Sequence, residues 1–177
     1  MEPRRDMMFS IIGLFAFIYV MVAFYTDIRW MIIPNWLTLS AAGLGIVIQM
    51  IIYHWSGLIT SLIGFSVAFV LTLGLYLIKG VGAGDVKGLA ALGAITGVDF
   101  TISVLIISLI YAGIVGLLIL VVRGRAYMLI HHWWICFVCY FTTREQGHLQ
   151  LITAQRVHSF PFMLAVMPAF ITCLLIF

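Results

Sequence analysis

Residues 80–87 read Gly-Val-Gly-Ala-Gly-Asp-Val-Lys, with three glycines in five positions directly before a carboxylate. The preceding run, Leu58 to Ile78, is apolar and long enough to cross a bilayer, and a second apolar run begins at Val86. A charged side chain at membrane depth costs at least about 2.5 kcal/mol, so an acid at Asp85 points to function rather than accident. The glycines supply backbone that bends through positive φ and lets another chain come close, as a cleft at a helix start requires. The stretch reads as an intramembrane acid site, and such a site needs a second acid.

Composition places the whole chain in the membrane. Of 177 residues, 64% are hydrophobic and 8% charged, with mean hydropathy +1.22, whereas soluble domains carry about 25% charged residues. Apolar runs recur along the full length and leave no stretch for a water-soluble domain, so residues 1–177 read as one all-α integral membrane domain. The net charge of +3 comes from scattered loop Lys and Arg rather than a basic stripe, which suits lipid headgroups and argues against nucleic acid. Cys136, Cys139 and Cys173 are odd in number and lie in apolar segments, which fits small buried hydrophobes better than a disulfide framework.

From the N-terminus, Met1 to Asp6 is polar and Met7 to Tyr25 is a retained first span, without the short apolar core or cleavage site of a secretory signal. Asp27 lies at its far end, in Thr26-Asp-Ile-Arg-Trp-Met-Ile-Ile-Pro-Asn35. Pro34 suits a helix start and Asn35 a cap beside it, so span two runs from Trp36 to Tyr53. A tight turn at His54 to Gly57 leads into span three, Leu58 to Ile78, and Lys79 to Gly84 forms the glycine loop. Val86 to Gly97 is a short fourth segment, Val98-Asp99-Phe100 breaks it, and Thr101 to Val122 is span five. Roughly twelve residues cover about 18 Å, against a hydrocarbon layer of about 30 Å. With Asp99 at one surface, Asp85 falls inside the other, where irregular backbone is tolerated only against protein or a water-filled cavity. Ala126 to Thr142 is apolar enough for a further span, but His131, His132 and the aromatic run from Trp133 to Phe141 favour an interfacial helix. Thr143 to His158 is a polar connector, and Ser159 to Phe177 is the last span, interrupted by Pro168. The expected fold is six transmembrane helices, with a short fourth helix and an interfacial helix between the fifth and sixth.

Six crossings put Arg29, Lys79, Lys87, Arg123, Arg125, Arg144 and Arg156 on one side, and only Arg4 and Arg5 on the other. The positive-inside rule makes the first side cytoplasmic, with both termini outside. Asp27 and Asp85, separated by an even number of crossings, then share the cytoplasmic side. Glu2, Asp6 and Asp99 fall at the outer end and Glu145 in the connector, which leaves these two as the pair.

Peptide hydrolysis by two carboxylates needs one protonated, to donate to the carbonyl oxygen, and one ionised, to take a proton from the attacking water. Repulsion between two such groups about 3 Å apart, added to burial, keeps one protonated while the other ionises. A plainer reading makes each aspartate a helix cap or an ion-pair partner, Asp27 with Arg29 and Asp85 with Lys87. Two further classes fit the composition: a small ion or proton transporter using Asp27 and Asp85, or a non-catalytic membrane scaffold.

The pattern Asp27-Ile-Arg-Trp-Met-Ile-Ile-Pro-Asn-Trp-Leu-Thr38, followed by Gly80-Val-Gly-Ala-Gly-Asp-Val-Lys87, resembles the bacterial type IV prepilin peptidases, membrane aspartyl proteases of the GxGD type. In that family an aspartate is followed at six to eight residues by Ile-Pro-Asn, here Ile33, Pro34 and Asn35, and a second aspartate closes the glycine motif. Ala-Ala-Leu-Gly-Ala after the motif and Pro161-Phe162 before the last span extend the likeness. The resemblance implies an aspartic-type endopeptidase in the bacterial inner membrane. It would cleave prepilin or pseudopilin precursors after a glycine on the cytoplasmic side. Asp27 and Asp85 would be catalytic, Gly82, Gly84, Lys87, Pro34 and Asn35 supporting, with membrane lipids as surroundings and no cofactor or metal.

Two features depart from the family pattern. Gly88 stands where a larger apolar residue is common. Larger members also carry a cytoplasmic insert with paired Cys-x-x-Cys motifs between the first two spans and methylate the new N-terminus. Here that loop is about ten residues without cysteine, so the likeness is to the short pilus-assembly type and gives no ground for expecting methylation. Cys136-Phe-Val-Cys139 with His132 one turn earlier has zinc-like spacing, but the run is apolar and lacks a second pair, so packing is the expected role.

Overall fold

The computed structural model describes residues 3–122 and 162–176, with side chains over 11–118 and 162–176. These residues form five α-helices: α1 (Pro3–Trp30), α2 (Asn35–Leu77), α3 (Ala83–Thr96), α4 (Val98–Val122) and α5 (Met163–Ile176). The chain divides into two compact units, Met1–Ala112 with Pro161–Phe177, and Gly113–Phe160. The described part of the second unit, residues 113–122, is the end of α4. The expected interfacial helix at 126–142, the connector after it, and His132, Cys136 and Cys139 lie outside the described residues.

Three helices are long and apolar enough to cross a membrane, through Ile11–Trp30, Asn35–Leu77 and Val98–Leu118, and α5 is a shorter apolar helix. Leu39, Ile51, Val70, Leu77 and Leu175 are exposed. This outward apolar surface is the inverse of what a water-facing helix carries. The protein is a helical membrane protein.

The 43 residues of α2 would run about 64 Å if straight, twice the hydrocarbon thickness. They do not run straight. His54 has φ 55 and ψ −131, and the helix kinks there. Gln49 and Gly57 would be about 12 Å apart along a straight axis, yet a Cβ on Gly57 would collide with the Gln49 carbonyl. The helix therefore folds back into two arms, and the reversal is confined to one residue rather than spread over the turn expected at His54 to Gly57.

Both arms close on α3. The Gln49 side-chain amide donates to the Ile95 carbonyl at 2.8 Å, and the Ser61 hydroxyl donates to the Ala94 carbonyl at 2.6 Å. Backbones meet at Gly64 and Gly93, where a Cβ on either would clash with the other's carbonyl. Small residues permit this approach, and close backbone packing holds membrane helices together where water does not drive apolar surfaces into contact. The Gly-Leu-Ala-Ala-Leu-Gly-Ala-Ile run, residues 88–95, is buried throughout, which makes α3 the core of the unit. The last helix, α5, packs along α1, with the buried Phe170 ring against Phe17 of α1 and edge-on to Phe100 of α4 at 5.5 Å.

Three boundaries differ from those expected. The break before α4 is Gly97 alone, at φ +83, and Val98 to Phe100 are helical. Helix α3 starts at Ala83, so Asp85 lies within its first turn rather than before it. Pro34, not Asn35, occupies the cap position of α2, at φ −62 and ψ 136. The proline ring fixes φ near that value, and its carbonyl accepts from the N–H groups of Leu37 and Thr38, so the helix begins at Asn35.

Candidate active site

Asp27 sits in the last turn of α1, before Met31 leaves the helix at φ 52 with its N–H on the Asp27 carbonyl at 2.8 Å. Its side chain is 6% exposed and accepts, through Oδ2, the backbone N–H of Met163 at 3.1 Å. Met163 is the first residue of α5, so the carboxylate satisfies one of the unpaired N–H groups at a helix start.

Asp85 is 8% exposed and accepts through Oδ2 from the N–H of Gly82, the cap residue of α3, at 3.2 Å. This is the carboxylate half of a capping box, and glycine cannot supply the other half. The absent side chain matters in another way: a Cβ on Gly82 would lie 3.0 Å from Asp85 Oδ2, crowding the folded-back carboxylate. Among the described residues no buried side-chain polar atom lacks a partner. No described hydrogen bond uses the second oxygen of either aspartate.

The two carboxylates lie within electrostatic range of each other. What brings them together is a contact chain across three helices. Tyr19, two turns before Asp27 on α1, donates from its buried hydroxyl to the Gly88 carbonyl at 2.9 Å, one turn after Asp85 on α3. At Gly88 a Cβ would lie 2.7 Å from Met163 Cε, 3.3 Å from Ile33 Cδ1 and 3.6 Å from the Tyr19 hydroxyl. Gly88 is thus the point where α1, the 31–34 link and α5 converge on α3.

The other expected site residues fall around this point. Lys87 Nζ donates to Asn35 Oδ1 at 2.9 Å, joining the starts of α2 and α3. Gly84 packs on Ile33, 3.6–3.7 Å from where its Cβ would stand, and Pro34 caps α2 next to it. A groove of about 250 Å³ opens beside the Lys87–Asn35 bond, lined by these two with Thr38, Leu39, Phe65 and Phe69 among others; neither aspartate lines it.

Two expectations need correction. Gly80, Gly82 and Gly84 do not adopt positive φ; in this loop Lys79 does, at φ 59, as α2 ends with the Gly80 N–H on the Leu75 carbonyl. The motif glycines act by leaving room rather than by bending. The ion pairs considered for the aspartates do not form among the described residues, because Lys87 turns to Asn35 and Arg29 to the Tyr25 hydroxyl and the Trp30 ring. Tyr19 and Met163 escaped the sequence reading. Tyr19 had one available signal, a polar ring eight residues before Asp27 and so on roughly the same face; Met163 had none beyond following Pro161-Phe162.

Residues 14–121, a stretch holding both aspartates and both motifs, match the model of the type IV leader peptidase family. The chain belongs to the type IV leader peptidase family. Membership of the leader peptidases implies aspartic-type endopeptidase activity and suggests cleavage of prepilin leaders. No curated protein and no solved structure matches the chain. In this leader peptidase the matched stretch stops before α5, so the donor to Asp27 lies beyond it. Among the described residues no cluster of three or more His, Cys, Asp or Glu could hold a metal ion.

Proposed function

We propose that the protein is an intramembrane endopeptidase that removes the leader of type IV prepilin-like precursors after a glycine on the cytoplasmic side, with Asp27 and Asp85 as its catalytic pair. What supports this reading is the family match over both motifs, together with the Tyr19–Gly88 bond and the Met163 contacts to Asp27 and Gly88, which hold the end of α1 against the helix that carries Asp85, 58 positions on in sequence. One carboxyl, protonated, donates to the scissile carbonyl oxygen. The other, ionised, takes a proton from the attacking water, and the proton later passes to the leaving amine. Each aspartate uses only Oδ2 in its capping bond, which leaves an oxygen on each for substrate or water.

In the same reading α1, the two arms of α2, α3, α4 and α5 are six crossings, the site lies at the cytoplasmic side, and both termini lie outside. Gly82 makes room for the Asp85 carboxylate, Gly84 for the approach of Ile33, and Lys87, Asn35 and Pro34 fix the start of α2 against α3. Residues 1–177 act as one membrane peptidase domain on prepilin or pseudopilin precursors.

Co-expression with a candidate prepilin tests the reading. The precursor should lose its leader mass with the wild-type protein and keep it with D27N and with D85N. Unchanged processing in either variant rejects the pair, and an ion flux abolished by both would favour a transporter.

A further inference from the structure

The sequence match to the family ends before α5, yet the first residue of α5 makes the hydrogen bond that holds Asp27. Met163 is 2% exposed and touches the site in two ways. Its backbone N–H is on Asp27 Oδ2 at 3.1 Å, and its ε-methyl fills the notch where Gly88 lacks a Cβ. Gly88 is one turn past Asp85 on α3, so a single residue spans from the carboxylate of α1 to the helix that carries the other carboxylate. A carboxylate at a helix end is otherwise free to rotate about its terminal torsion. A fixed donor on one oxygen sets that rotation and leaves the second oxygen aimed elsewhere.

We propose that Met163 is a positioning residue for Asp27: its side chain, locked into the Gly88 notch, holds its N–H on Oδ2 so that the free oxygen of Asp27 faces the site shared with Asp85. The effect is on geometry in the transition state rather than on substrate binding. A Cβ at position 88 would displace the Met163 ε-methyl from this notch. The kinetic part of this inference rests on the peptidase reading; the hydrogen bond itself does not.

M163P removes the donor along with the side chain, at a first helical position where proline is well tolerated, whereas M163L keeps the donor and roughly fills the same volume. Against a wild-type protein that cleaves a prepilin, M163P should lower kcat at least about tenfold with KM little changed, and M163L should restore kcat to within about threefold of wild type. A folded M163P with wild-type kcat, a loss confined to KM, or an M163L as impaired as M163P would each overturn the proposal. A second measurement needs no activity. Hydrogen exchange at the Met163 amide should be slow in the wild-type protein and speed up in D27A, with the amides of the following turns of α5 unchanged. Equal protection of that amide in both proteins overturns the proposal even if the peptidase reading stands, while loss of protection in a protein that cleaves no precursor would retain the bond and reject the peptidase reading alone.

Discussion

Lys87 Nζ and Asn35 Oδ1 are 2.9 Å apart, a hydrogen bond that ties the first turn of α2 to α3 across 52 positions of sequence. It closes a bracket around the 31–34 link, whose Ile33 lies under both Gly84 and Gly88. Because the pair acts as one fastening, removing either end should have the same consequence as removing both. K87M and N35L are each expected to lower kcat/KM by about 2- to 10-fold, with the double variant no worse than the weaker single. Additive losses in prepilin cleavage would mean that the two side chains act separately.

Helix packing makes a sharper demand at Gly64 and Gly93. A Cβ on either meets the carbonyl of the other, so neither helix can accept alanine without moving apart. The Gln49 amide, which donates to the Ile95 carbonyl nearby, would be pulled out of range by the same movement. G64A and G93A should each destabilise the protein by about 1–3 kcal/mol, and Q49L by about 1–2 kcal/mol. Thermal unfolding in detergent, followed by helix signal, checks both; a G64A protein as stable as wild type would contradict the close crossing.

The active form of a carboxylate pair holds one proton between two groups. Below the optimum both are protonated and no base remains; above it both are ionised and no acid remains. The cleavage rate should therefore rise and then fall with pH, each limb approaching about tenfold per pH unit. A rate level from about pH 4 to about pH 8, with chemistry shown to be rate-limiting, would contradict the shared proton.

Much of this arrangement is legible before any coordinates. Apolar runs and sparse charge mark the helices, and an acid after three glycines marks Asp85, because each signal is local and costly to place by chance. Other features depend on partners far along the chain and leave no local trace. The turn near His54 is read from the sequence, but its confinement to that one residue, with both arms bonded to Ala94 and Ile95 of α3, is not. The motif glycines look like bends in sequence, but their use is set by what sits above them: the Asp85 carboxylate over Gly82 and Ile33 over Gly84. Asn35 has the side chain of a cap, yet Lys87 takes its oxygen and Pro34 takes the cap position. The hold of α5 on Asp27 spans 136 positions and runs through a backbone N–H, which every residue but proline possesses.

The central claim is that Asp27 and Asp85 act as one catalytic unit. It is tested most directly by the cleavage rate of a prepilin in detergent for the wild-type protein, D27N, D85N and the double variant, with the new N-terminus read by mass spectrometry. The account predicts a product beginning after a glycine for the wild type, a loss of at least about 10³-fold in each single variant, and no further loss in the double. Cleavage near the wild-type rate in either single variant would contradict it.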